Sequence, residues 1–376
     1  MKIELPFSSF NLGSFRKDLL DKLPTFSLPP FRMLPNAALG IDIGTSSLKV
    51  VELSRWGERR NLKNYGELRI PALCKKPFRT FEKSTLLLET RDIARALKAI
   101  LQEANIKSRR AVFSLPDFSS FFTNFQLPPM SKEEIPDAVA YEARRHIPVP
   151  LSEVIFDWQI MDHATQSKDP LDVLLVAVPN EVVNQYQEIA RMCELNLIAL
   201  EAEVFGLIRS GAGDERIPTV LLDIGAQSTT VNVVSEGMLH SSHSFDIAGN
   251  TLTERLAKAF STDYETAERE KATKGIAVPE TAAVLSPLVD LIIKEIETQA
   301  LAFKDSKGKE IQKIILGGGA ALLPGLKDYV AKSTGKTVEI INPFHTIFYS
   351  PVLEYTLQSL GPSYAVAVGM ALRALE

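Results

Sequence analysis

The sequence predicts an α/β protein of two duplicated lobes, with a small α/β module inserted into the first. Three observations predict it. Asp42-Ile43-Gly44, followed by Ser47, returns as Asp223-Ile224-Gly225, followed by Ser228, each between β-rich apolar stretches. Residues 117–195 read as strand, helix, strand, strand, helix, a separate module. Residues 311–333 read as an apolar strand, the run Gly317-Gly318-Gly319 and a helix.

The bulk numbers are compatible with this. A chain of 376 residues is too long for one simple core, and 45% hydrophobic with 23% charged residues is ordinary for a globular protein. A net charge of -4 with no block of one sign argues against a dedicated nucleic-acid binder. Cys74 and Cys193 are far apart in no metal spacing, which fits a reduced compartment. His146, His163, His240, His243 and His345 are scattered. His240 and His243 are three apart, but with no third ligand nearby they read as ordinary strand residues. Neither an apolar run of about 18 residues nor a signal segment is present, so the expectation is a cytoplasmic chain.

Taken in order, residues 1–36 form a proline-interrupted tail. Phe15, Leu19 and Leu23 share one helical face there, which suits either a short membrane-surface helix or, preferably, a flexible tail. The first lobe begins at 37 and runs to 116, with a strand–turn–strand at 38–53, a third strand at 65–70, a helix at 90–105 and a strand at 111–116. The inserted module occupies 117–195. Its first helix is expected from Ser131, where Ser131 and Glu134 have capping-box spacing, although Pro136 disturbs the register. Residues 196–215 return to the first lobe. The second lobe spans 216–362 with a helical insertion at about 250–310, and a closing helix takes 363–376.

The duplicated turns suit phosphate. Gly44 and Gly225 are expected at positive φ, which lets backbone N–H groups approach an anion. Thr45, Ser46 and Ser47 on one turn, and Ala226, Gln227 and Ser228 on the other, surround that position. Asp42 and Asp223 would repel phosphate but can hold Mg²⁺ through water. Gly317, Gly318 and Gly319 could lie flat against a purine and ribose, or serve only as a packed connection. No Walker A loop is present.

These three elements, in this order, resemble the nucleotide site of the actin-like ATPase superfamily, whose lobes are duplicated ribonuclease-H-like units. By that resemblance Lys49, otherwise an exposed strand lysine, approaches the β and γ phosphates. LPPMSKEEI, ARRHIPVP, EVIFDWQI and VAVPNEVVNQYQEIARMCELNLIALEAEVFGLIRS are similar to the type IV pilus assembly PilM family, as is DIGAQST, and the likeness covers residues 37–376. It implies that Glu268 and Lys271 contact adenosine and that Gly249 belongs to the site. It also implies Mg-ATP as cofactor and a scaffold at the cytoplasmic face of the inner membrane. The scaffold would grip the tail of a PilN-like membrane protein between the first lobe and the inserted module, with other pilus platform proteins as further partners and a homodimer left open. Glu203, and second to it Glu201, sit where a water-positioning carboxylate is expected, or else are surface acids near a helix N-terminus. Hydrolysis is expected to be slow or absent. The alternatives are a filament or division protein like FtsA or MreB, from which the chain's end at Glu376 departs, and a small-molecule kinase, for which no substrate loop is evident.

Overall fold

The computed structural model describes residues 36–69, 79–82, 85–161, 170–213 and 215–376. The tail to residue 35, with its Phe15, Leu19 and Leu23, lies outside these residues, as do Cys74 and His163.

The first lobe opens with β1 (Asn36–Ile43), β2 (Ser47–Trp56) and β3 (Arg59–Arg69), followed by the short hairpin β4 (Arg79–Glu82) and β5 (Thr85–Leu88). It continues through α1 (Thr90–Glu103) and β6 (Arg110–Leu115). The chain then leaves for β7 (Phe121–Leu127), α2 (Ile135–His146), β8 (Val154–Ile160) and β9 (Leu171–Pro179). It returns with α3 (Asn180–Met192), β10 (Asn196–Ala202) and α4 (Glu203–Gly211). The second lobe holds β11 (Thr219–Ile224), β12 (Thr229–Ser235), β13 (Met238–Phe245), α5 (Gly249–Phe260), α6 (Tyr264–Lys274) and α7 (Pro279–Lys307). It ends with β14 (Lys313–Gly317), α8 (Leu326–Thr334), β15 (Thr337–Ile340) and α9 (Glu354–Arg373).

The two lobes share one topology. The first sheet runs β3-β2-β1-β6-β10 and the second β13-β12-β11-β14-β15. In each, three strands pair antiparallel, and the remaining two lie parallel to the central one. This is the two-lobed actin-like architecture, with the module's antiparallel sheet β7-β9-β8 inserted after β6. The central strands are buried on both faces, which their continuous apolar runs require.

Local chemistry sets several boundaries. Gly57, at φ 59°, turns the β2–β3 hairpin, so β3 starts at Arg59, six residues earlier than the sequence suggests. The helix expected from Ser131 begins at Ile135, because Pro136 is tolerated only in a first turn. Ser131 and Glu134 close the turn before it, where Glu134 accepts from the Ser131 N–H at 2.9 Å. α3 was expected within the inserted module. Its Val182, Val183, Tyr186 and Ile189 instead join Ile93, Leu97 and Ile100 of α1 in the first lobe's core. α2 covers the module's sheet through Val139 and Ala143. The closing helix starts at Glu354 and tolerates Pro362 within it.

α4 follows the last strand of the first lobe as α9 follows that of the second. Both sit in a buried apolar cluster that also takes Leu174 and Val176 of β9, and Leu221 and Val234 of the second lobe. Their backbones touch: a Cβ on Gly369 would stand 2.0 Å from the Gly206 carbonyl oxygen. The same helix lies against β1, where a Cβ on Gly40 would meet the Ala367 oxygen at 1.9 Å. Glycine at these crossings is what lets helix and strand approach.

Candidate functional site

Each duplicated turn is the link between a central strand and its antiparallel neighbour. The Gly44 N–H donates to the Ser47 oxygen at 2.9 Å, and the Gly225 N–H to the Ser228 oxygen at 3.0 Å. The expected positive φ is absent at both glycines. They are required for another reason: a Cβ would lie 2.8 Å from the Ser47 oxygen and 2.9 Å from the Ser228 oxygen. The turns are tight because the carbonyl folds back over the glycine.

On the first turn Asp42, Thr45 and Ser47 are buried and Ser46 is exposed. Asp42 Oδ1 accepts from Ser114 Oγ at 2.8 Å, which fixes the carboxylate at the end of β1. Lys49 stands opposite Asp42 in the β1–β2 register and is 9% exposed. Among the described residues no ion pair engages its ammonium. The exposed-lysine reading therefore fails, and a buried cation of this kind suits an anionic ligand.

On the second turn the start of α5 is bound to the carbonyls. Gly249 N–H donates to Gly225 O at 3.0 Å and Asn250 N–H to Ala226 O at 2.8 Å. Lys271, on α6, locks this joint from behind. Its ammonium reaches Gly249 O at 3.0 Å, Thr253 Oγ1 at 2.8 Å and Glu268 Oε2 at 2.7 Å, which uses its three donors. Gly318 is the glycine of the run held at positive φ, 86°. A Cβ there would stand 2.4 Å from both Asp223 Oδ1 and the Ile224 oxygen. The run thus lies directly against the second aspartate. Gly317 ends β14 beside it, and Gly319 has open space around it.

The two turns meet at one cleft of about 1030 Å³, lined by Thr45 from the first and Gln227 and Ser228 from the second. The inserted module supplies Phe121, Thr123 and His146, and the second lobe Phe245, Asp246 and Asn250. Asp117, which the sequence reading missed, lines it too. A Pro-Asp step directly after a buried strand was the available signal. The cleft's carboxylates are Asp117, Asp246 and Glu254, and its described lining holds no lysine or arginine. A triphosphate would need a cation here; Asp42 and Asp223 are not among the residues that line the cleft but stand beside the two turns near the ends of β1 and β11, and with the turn hydroxyls they offer the hard oxygen ligands that Mg²⁺ takes. Gln227 Oε1 is buried and has no hydrogen-bond partner among the described residues, an orphaned acceptor on the second turn that suits a polar ligand. The residues present fit Mg-ATP.

The two candidate carboxylates separate. Both are buried, so neither is a surface acid. Glu201 is engaged by Arg209, which takes its two oxygens at 2.7 and 2.8 Å. Burial alone would depress that guanidinium, but the Glu201 hydrogen bonds and nearby charges of Glu201 and Glu376 hold it above its ordinary range. Glu203, at the start of α4, accepts from the Asp117 N–H at 3.3 Å, while Asp117 Oδ1 accepts from the Val204 N–H at 3.1 Å. This reciprocal pair ties α4 to the cleft wall. His240 and His243 sit on β13 as plain strand residues, and no three metal-ligating side chains group among the described residues.

The family described as type IV pilus assembly protein PilM matches residues 40–375. The chain belongs to the PilM family. A chain of the solved PilM–PilN type IV pilus biogenesis complex superposes with a TM-score of 0.78 at 27% identity, covering 90% of this chain and 98% of that one. The ethanolamine utilization protein EutJ from Carboxydothermus hydrogenoformans gives 0.53 at 13% identity over 90% of both chains, a likeness of fold alone. The cell division protein FtsA of Rhizobium meliloti (strain 1021) is 27% identical over 179 residues, 40% of this chain. That match spans only 38% of the relative's length. FtsA of Staphylococcus epidermidis is 20% identical over 380 residues, 87% of this chain and 79% of its own. This PilM-family chain is thus a type IV pilus assembly protein of the actin-like ATPase superfamily. Among its described residues no single helix is long and apolar enough to cross a membrane.

Proposed function

We propose that the chain is an ATP-holding scaffold of the type IV pilus assembly platform, which binds the cytoplasmic tail of a PilN-like inner-membrane protein. The observation that carries the nucleotide is the pair of glycine turns, built alike on two lobes of one topology and lining one cleft. When bound, Mg-ATP would supply negative charge and a cation that bridge the two turns. Asp42 and Asp223 would hold the cation through water. The hydroxyls of Thr45, Ser46, Ser47 and Ser228, with Lys49, would meet the phosphates, and the faces of Gly317, Gly318 and Gly319 the nucleoside. Lys271 and Glu268 would act chiefly by fixing Gly249 and the second turn. Glu203 is the carboxylate we assign to any slow hydrolysis.

The PilN-like partner is supported by the likeness to a chain of a PilM–PilN complex. The partner would bring the protein to the cytoplasmic face of the inner membrane. A ligand bound only by the folded state adds about 2.7 kcal/mol at one hundred times its dissociation constant, so ATP could hold the lobes without turning over. The test is Mg-ATP binding and phosphate release by the full chain, with Asp42→Ala beside it. We expect tight binding, at least about tenfold weaker in Asp42→Ala, and little release. Absence of binding by the unaltered chain would overturn the nucleotide reading. The second reading is a filament or cell-division protein, and the FtsA relatives, described as cell division proteins, support the division reading. ATP-dependent polymers that sediment would select it.

A further inference from the structure

The inserted module does more than extend the first lobe. Through β7 and β9 it also touches the second. The Asn124 side-chain amide of β7 donates to the backbone oxygen of His240 on β13. Asp172, which opens β9's inward face, pairs with Lys307 in the last turn of α7. Gln126 Nε2 donates to the other Asp172 oxygen at 2.8 Å and orients the carboxylate. The His240 ring stands edge-on to Phe303 of α7 at 5.1 Å.

The first of these contacts joins β7 and β13, and both strands line the cleft that holds both glycine turns. β7 supplies Phe121, Phe122 and Thr123 to its wall, and β13 supplies Ser242, His243 and Ser244. The strands that clasp are therefore the strands that face the ligand. β7 also follows Asp117 by a few residues, and Asp117 is tied to the start of α4. A change in the separation of the lobes must then move β7 against β13.

We propose that Asn124–His240 and Asp172–Lys307 form a nucleotide-dependent clasp: a triphosphate in the cleft draws the second lobe onto the inserted module, and the closed clasp retains the nucleotide in turn. This rests on the ATP reading above. Both contacts are polar, an amide–carbonyl bond and an ion pair, and each can exchange its partner for water at small cost. Coupling of this kind is reciprocal, so whatever factor ATP gives the clasp, the clasp gives ATP.

The experiment uses the full chain and three variants: Asp172→Lys, Lys307→Asp, and both together, which restores the pair with its charges exchanged. Mg-ATP affinity is measured for each, and backbone hydrogen exchange is followed over residues 121–127 and 238–245 with and without Mg-ATP. We expect each single reversal to weaken Mg-ATP by about fivefold or more, the exchanged pair to recover most of that loss, and Mg-ATP to slow exchange in both strands of the unaltered chain. If the chain binds Mg-ATP but the reversals stay within about twofold, or the exchanged pair recovers nothing, or both strands exchange unchanged, the clasp is wrong and the ATP reading stands. If the unaltered chain binds no Mg-ATP, both fall together.

Discussion

Glu201 and Glu203 are two residues apart and have opposite employments. Glu201 ends a buried strand and spends both oxygens on Arg209, itself bonded to Gly369 O and Glu376. Removing one partner of such a pair leaves a buried charge uncompensated, which costs about 3–5 kcal/mol. Glu201→Ala should therefore lower stability by about 3 kcal/mol in urea unfolding while leaving phosphate release per bound ATP unchanged. Glu203→Gln should do the reverse. It keeps the Asp117 N–H bond and reduces whatever release the chain supports by on the order of a hundredfold. Equal effects of the two variants on release would remove Glu203 from its role. Sequence alone could offer both glutamates because both precede one helix. The distinction depends on Arg209, a turn and a half into that helix, and on α9, which are tertiary facts. The two turns that end in Ser47 and Ser228 were legible for the opposite reason, since a repeated turn is a local pattern written twice.

At the scale of elements, the strands and helices of both lobes could be read from apolar periodicity, but their partners could not. α3 shows why. Its face of Val182, Tyr186 and Ile189 is plain in sequence, and nothing local says that it packs on α1 of the first lobe and not on the module from which it emerges. The α4–α9 crossing is a second case. Its glycines, Gly206 and Gly369, lie in ordinary helical sequence, and only the paired helices make them necessary. Gly369→Ala should cost about 3 kcal/mol or more, since its Cβ would meet backbone that cannot swing aside. Gly319→Ala, with nothing within 4 Å, should change unfolding little. Comparable losses from the two substitutions would mean that α9 can slide, and that the helix crossing does not fix the distance between the lobes.

For the molecule as a whole, the joint between module and second lobe carries a titratable reporter. His240 is pushed down to about 4, first by burial and then by the charge of Lys307, with Lys309 adding to it and Asp172 and the Ser235 carbonyl opposing. The native state therefore keeps this imidazole neutral between its ordinary 6.5 and about 4, while the unfolded chain takes up the proton. Stability supplied by the neutral ring is fully present above pH 6.5 and is lost as pH falls toward 4. At pH 5 unfolding should bind about one extra proton, a slope of at most about 1.4 kcal/mol per pH unit, and less because the ring is partly open to solvent. Carboxylates such as Glu134 and Asp263, whose hydrogen bonds hold them below their usual range, also weaken the fold in acid. The informative quantity is thus the difference between the unaltered chain and His240→Gln. Urea midpoints taken from pH 7 to pH 4.5 should converge for the two proteins as pH falls, because the variant has no proton to gain at this position. Parallel curves would mean that His240 is solvated in the native state and that β7 and β13 stand open in solution.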